Sequence, residues 1–117
     1  MELVTTIISP TTAVLLGKGR LDASTATQLK NAVHALVDNG TRELVLDLSE
    51  TIFIDSSGLS ALVSALKRLN SLHGTLILAA PQAQARVTLR LTMLDKILPI
   101  FPTLESALKA LYPVVEE

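Results

Sequence analysis

Four consecutive residues, Asp55, Ser56, Ser57 and Gly58, stand where an apolar run ends and a long helical pattern begins. A carboxylate and two hydroxyls at such a junction admit three kinds of chemistry. They can supply a nucleophile, cap the helix, or offer a hydroxyl on which a phosphoryl group is written and read. The start of a helix exposes unpaired backbone N–H groups and carries partial positive charge. A phosphoryl group placed there adds roughly −1.5 to −2 charges and several acceptor oxygens, and the same helix end can stabilise them. Asp55 can orient a hydroxyl or a partner's side chain. Gly58, with no side chain, leaves room for another protein to approach the serine. The capping alternative stands beside this one, because Asp and Ser are preferred N-cap residues and need no further role to be there.

Other catalytic patterns fit less well. A serine-hydrolase elbow reads Gly-x-Ser-x-Gly, and the chain has no such match. An aspartyl-phosphate phosphatase wants Asp-x-Asp at a strand end, whereas "FIDSSG" supplies one Asp. A receiver domain wants an acidic pair near its phosphoacceptor, and "LDLS" offers Asp47 alone. His34 falls inside a helical pattern and His73 beside a helix-ending glycine, so neither is placed for a triad. Lys67 and Arg68 read as a solvated helix face, with contact to an acidic partner as the alternative. The expectation is a protein that is not an enzyme and holds no cofactor and no metal.

Composition narrows the class of partner. The 117 residues are 49% hydrophobic and 18% charged, with a net charge of −1. This composition suits a folded core, and the length suits a single domain over residues 1–117. Without clustered Lys and Arg, nucleic acid is not an expected partner. The absence of cysteine excludes disulfides and thiolate chemistry and fits a cytoplasmic protein. Mean hydropathy is high at +0.47, yet no apolar run approaches the ~18 residues of a membrane span, so no direct membrane insertion is expected. The opening "MELVTTIISP" reads as a strand rather than a signal peptide. The high hydropathy also leaves room for an exposed apolar docking patch.

The elements that must position the serines follow from periodicity. Leu3–Ile8 and Thr12–Leu16 are β-prone runs separated by "SPT", which suggests a hairpin. The glycines of "GKGRLD" are expected to end the second strand. A helix then starts near Asp22 or Ser24 and presents Ala26, Leu29, Val33, Leu36 and Val37 before "DNG" stops it. "ELVLDLS" reads as a central strand, being apolar on both sides. After "FIDSSG", residues Leu59, Leu62, Val63, Leu66 and Leu69 mark one helical face, and "HG" ends it. "TLILAAP" is a strand, and Val87, Leu91 and Leu94 form the stripe of the next helix. "ILPIF" is a short strand whose Pro99 suits an edge, and Thr103 can cap a last helix carrying Leu104, Leu108 and Leu111. The order β-β-α-β-α-β-α-β-α implies an α/β fold with a mixed sheet of about five strands and about four helices. Helices that follow strands begin at the carboxyl edge, where sites gather. "DSSG" falls at that edge, and "RLDAS" also precedes a helix and is a candidate neighbour.

"LVLDLSETIFIDSSGLSALVSALKRL" strongly resembles the central segment of STAS domains, in particular the bacterial anti-sigma factor antagonists. Asp47, Leu48 and Ser49 match the Asp-Leu-Ser that ends a strand. Asp55, Ser56, Ser57, Gly58 and Leu59 match the signature that opens a helix. "GRLDASTA" resembles the family's Gly-x-Leu-Asp segment, and "LTMLDKILPIFPTLESALKAL" its last strand and helix. Ser60 stands where many close members have Gly, and "ETIF" departs from the commonest sequence. The resemblance implies a single STAS-like fold and a regulator that works by binding. Its implied partner is an anti-sigma factor that is also a serine kinase, and that binding frees a sigma factor. Phosphorylation of Ser56 by the kinase would weaken binding, and a PP2C-like phosphatase would reverse it. Asp22, Asp55, Ser57, Gly58 and Leu59 are then the partner-binding or supporting residues. The alternative role is a STAS regulatory or scaffold subunit of a larger assembly, transporter-associated or stressosome-type, in which Ser56 contacts a partner without being modified.

Overall fold

The computed structural model describes residues 1–112. The strands are β1 (Glu2–Ser9), β2 (Thr12–Leu21), β3 (Glu43–Asp47), β4 (Thr51–Ile54), β5 (Thr75–Ala79) and β6 (Ile100–Phe101). The helices are α1 (Ala26–Asp38), α2 (Ser56–Asn70), α3 (Ala83–Leu91) and α4 (Leu104–Leu111), with a 3-10 turn at Leu94–Lys96. The sheet runs β1-β2-β3-β5-β6, and β4 pairs with β2 alone. The opening hairpin is antiparallel and every other pairing is parallel, which makes the sheet mixed as the element order implied.

The central strands are apolar at successive positions because both faces are covered. Leu15, Leu44, Leu46, Leu76 and Leu78 join Leu29, Val33, Leu62, Leu69 and Leu89 of α1, α2 and α3 in the main core. Val14, Val45 and Ile77 point to the other face, against Ala107 and the half-buried Leu104 and Leu108 of α4. Fully burying one such leucine is worth about 1.5–3 kcal/mol, so this two-sided packing fixes the register of β3 and β5. Thr103 caps α4 through a reciprocal capping box with Ser106, as its position suggested.

Five expectations are corrected. The glycines do not end β2. Gly17 and Gly19 lie inside it, at the point where it exchanges one partner for another: Thr12–Leu16 pair with β3, and Gly19–Leu21 with β4. Gly19 sits at φ +109, a conformation side chains disfavour, and Ile52 is skipped in the pairing opposite it. The sheet therefore has a sixth strand, β4, where the sequence showed only a short "ETIF" junction. Helix α1 begins at Ala26 with Thr25 as N-cap and no side-chain cap, not at Asp22 or Ser24. In α3 the buried residues are Ala85 and Leu89, whereas Val87 and Leu91 are exposed, Leu91 at 76%. Ala85 and Leu89, one turn apart, share the face packed on the core, so Val87 and Leu91 fall away from it, while Leu94 packs against the core beyond the helix. Arg68 also departs from a freely solvated face, since its Nη2 lies 2.7 Å from Asp38 Oδ1 and ties α2 to α1.

Candidate functional site

The site is built where β2 and β4 end side by side. Leu21 is paired with Ile54, and the Asp55 N–H donates to the Leu21 carbonyl at 3.2 Å. Asp22 and Asp55, each following one of these paired residues, thus leave the same edge of the sheet, and the "RLDAS" and "IDSSG" segments are brought together.

The Asp-Leu-Ser motif makes this possible. Asp47 Oδ1 accepts from the Ser49 N–H at 2.9 Å, and the Leu48 carbonyl accepts from the Thr51 N–H at 3.0 Å, so the chain turns between β3 and β4. Leu48 N–H still donates to Ala79 on β5. The buried Thr51 hydroxyl donates to the Gly17 carbonyl at 2.9 Å and pins β4 to the stretch of β2 where the glycines lie.

Among the described residues no strand pairs with the outer edge of β4, and a side chain from α3 stands in for one. Gln84 Oε1 accepts from the Ile54 N–H and Gln84 Nε2 donates to the Ile54 carbonyl, both at 2.9 Å. This is the two-bond pattern one strand residue offers another. It satisfies both backbone groups immediately before Asp55. Gln82 Nε2 adds a bond to the Ser49 carbonyl at 2.9 Å. Neither residue was legible beforehand, because each is a glutamine about 30 positions away, at the cap or in the first turn of a helix.

Asp55 is the N-cap of α2, and its Oδ1 accepts from the Gly58 N–H at 3.0 Å. Ser56 is the first helical residue and is exposed; Ser57 and Leu59 are half-buried. Among the described residues neither serine hydroxyl takes part in a hydrogen bond to the protein. Gly58 is buried, which corrects its expected role as an opening for a partner. A Cβ there would lie 2.4 Å from the Leu21 carbonyl oxygen and 2.8 Å from Leu21 Cγ. The glycine serves the close approach of α2 to β2 and so acts as support.

Asp22 is engaged differently. Its Oδ1 accepts from the Ser24 hydroxyl at 2.6 Å and the Ser24 N–H at 3.0 Å, and its Oδ2 from Arg20 Nε at 3.4 Å. The Ser24 hydroxyl above all, then its N–H and Arg20, hold the Asp22 carboxyl below its ordinary range against a smaller opposing effect of burial. Arg20 in turn lies 4.3 Å from the centroid of the Phe53 ring, the residue opposite it on β4.

Beside the serines a groove of about 530 Å³ runs along α2, lined by Leu59, Ser60, Val63, Ser64 and Lys67 and closed by Thr92 and Leu94. Met93 between them takes a left-handed backbone, φ 61, and its side chain is 69% exposed. Among the described residues no group of three or more His, Cys, Asp or Glu is arranged to hold a metal. No helix among them is long and apolar enough to cross a membrane.

The family model of the STAS domain matches residues 4–107. The chain belongs to the STAS domain family. A Bordetella bronchiseptica protein named as an anti-sigma factor antagonist, BtrV, is 30% identical to it over 93 residues, 80% of each chain. The crystal structure of an anti-sigma factor antagonist from Mycobacterium paratuberculosis superimposes with a TM-score of 0.84 at 32% identity, covering 93% of this chain and 92% of that one. SpoIIAA, an anti-sigma factor antagonist in its unphosphorylated form, shares the fold with a TM-score of 0.86 at 19% identity, over 98% and 100% of the two chains. A phosphorylated form of SpoIIAA from Bacillus matches at 0.75 and 19% identity, over 94% and 99%.

Proposed function

We propose that this STAS domain is an anti-sigma factor antagonist whose binding is switched by phosphorylation of Ser56. It binds an anti-sigma factor that is also a serine kinase, a sigma factor is released, and the kinase then phosphorylates Ser56 and weakens the complex. A PP2C-like phosphatase restores the binding form. The chain acts by binding, without turnover of its own, in the cytoplasm.

The observation that carries this reading is the state of the Ser56 hydroxyl: exposed, without a hydrogen-bond partner among the described residues, and set on the first residue of a helix that Asp55 already caps. Modifying Ser56 therefore removes no bond that holds the fold. A new negative charge at a helix N-terminus is also compatible with the helix dipole. Its effect then falls on the surface a partner meets, which takes in the serines, Leu59 and the adjoining groove. The domain names of relatives and the existence of a phosphorylated SpoIIAA support the same reading.

The test is incubation of the purified chain with the serine kinase that a pull-down with the native protein identifies and Mg-ATP, phosphopeptide mapping, and calorimetry of each form against that kinase. Label on Ser56 alone and at least tenfold weaker binding of the phosphorylated form are expected. A tenfold loss corresponds to about 1.4 kcal/mol, within reach of one desolvated charge. Label on Ser57 overturns the assignment, and equal binding by both forms overturns the switch in favour of a scaffold-subunit role. ATPase, phosphatase or esterase turnover that follows the purified chain would contradict the non-catalytic reading.

A further inference from the structure

Among the described residues the sheet has one long open edge, on β1, at the opposite side of β2 from β3 and β4. β1 pairs with β2 on one side, and among the described residues no strand pairs with its other side. Along that side alternate N–H and C=O groups are left for water or for another strand. Natural edges of this length are commonly blunted by charges, prolines or bulges in mid-strand. Here the chain carries no charged residue between Glu2 and Lys18. Pro10 lies beyond the strand, and the one irregularity of pairing falls at its end, between Ile7 and Ser9. Within the strand Val4 is 40%, Ile7 62% and Ile8 44% exposed.

We propose that two copies of this chain associate through β1, edge to edge and antiparallel, into one continuous sheet with a two-fold axis through Thr5. A two-fold perpendicular to the sheet sets a residue against itself and keeps each face with its like. Centred on Thr5, it confines new pairing to Leu3–Ile7, the regular part of the strand. Thr5 then faces Thr5 of the second copy, Val4 faces Thr6, and Leu3 faces Ile7. These are threonine and β-branched pairs of the kind that stabilise antiparallel strands. Ile7, the most exposed aliphatic residue of the strand, is covered by Leu3 of the other copy. No like charges meet, because Glu2 lies outside the span and is held by Lys18 at 3.7 Å. The occupant is a second copy because the strand is uncharged and matches itself in this register. One edge contributes a small interface, under about 1,200 Å², so the association is weak and concentration-dependent. It leaves the β4–α2 end open and stands independently of the Ser56 switch.

The test uses sedimentation and the absence of native cysteine. The wild type is expected to pass from one to two chains in mass as concentration rises through the micromolar range. Thr5→Lys sets two ammonium groups opposite each other and should stay a single chain, with its thermal melt unchanged because Thr5 is exposed. Thr5→Cys should form an inter-chain disulfide under mild oxidation well before Ser71→Cys, an exposed site on another element. A wild type that remains one chain at every concentration overturns the proposal. So does a dimer that survives Thr5→Lys, or equal cross-linking rates at the two cysteines.

Discussion

Two segments of this molecule begin with almost the same chemistry and end with different uses of it. "LDAST" leaves β2 and "IDSSG" leaves β4, side by side, and each offers an aspartate followed by hydroxyls ahead of a helix. In the first, the helix starts late, at Ala26. The intervening loop consumes the polar groups: Asp22 takes the Ser24 hydroxyl, and the Thr25 hydroxyl donates to the Arg20 carbonyl at 2.7 Å while accepting from the Asp22 N–H at 2.9 Å. In the second, the helix starts at once. Asp55 caps it alone, and among the described residues the Ser56 and Ser57 hydroxyls have no hydrogen-bond partner. The distance from aspartate to helix start, and not residue type, separates a loop lock from a helix start that presents an exposed serine.

The largest expected effect breaks the geometry that brings the second helix in at once. Gly58→Ala puts a Cβ into the Leu21 carbonyl and should destabilise the domain by about 3 kcal/mol or more, measured by urea unfolding. Ala23→Gly in the exposed first segment should change stability by less than about 1 kcal/mol. A melt for Gly58→Ala equal to wild type would show that α2 can back away from β2 at no cost.

The next concerns the clamp that only the second segment has. Gln84→Ala leaves the Ile54 N–H and C=O without their partner, at a cost of about 1–3 kcal/mol. Hydrogen exchange should quicken at the Ile54 amide, while the Leu44–Leu46 amides in the centre of the sheet keep their relative protection. Gln84→Glu retains the acceptor for the Ile54 N–H but loses the donor to its carbonyl, and should fall between.

Asp55→Ala removes a true N-cap and should cost about 1 kcal/mol, with faster exchange at the Gly58 amide. Asp22→Ala should leave the first turn of α1 unchanged, since no side chain caps it. Equal loss of helix protection in both variants would erase the contrast between the segments.

The smallest effect is a titration. The Asp22 carboxyl should titrate below its ordinary value of 3.8, and Ser24→Ala should move it upward by removing the strongest of its hydrogen bonds. Because folding lowers the pKa, the contribution to stability is present above 3.8 and is lost as pH falls through the lower folded value. Carboxyl NMR titration of both proteins checks this, and an unchanged midpoint in Ser24→Ala would remove Ser24 as the cause.

What the sequence determined by itself is whatever rests on neighbours along the chain. The helical spacing of Leu29, Val33 and Val37, the continuous apolar run of β3, the caps at Asp55 and Thr103 and the placing of Ser56 at a helix start are local, and the structure reproduces them. The hairpin followed from the turn between two β-prone runs, and "RLDAS" was a candidate neighbour of "DSSG" because both precede helices; the pairing of Leu21 with Ile54 that sets Asp22 beside Asp55 was not legible. Tertiary structure decided the rest. β4 is four residues with exposed Ile52 in it, too short for a period, and exists because the end of β2 needs a partner after β3 has turned away. Gly17 and Gly19 resemble a strand end in sequence and become a change of partner only when β4 is present. Gly58 looked like an opening until Leu21 was placed against it, and Gln84 acquires its role only because β4 lacks a strand on its outer side among the described residues. In each case the deciding contact joins residues about 30 or more positions apart, and backbone atoms with no sequence identity of their own supply half of it.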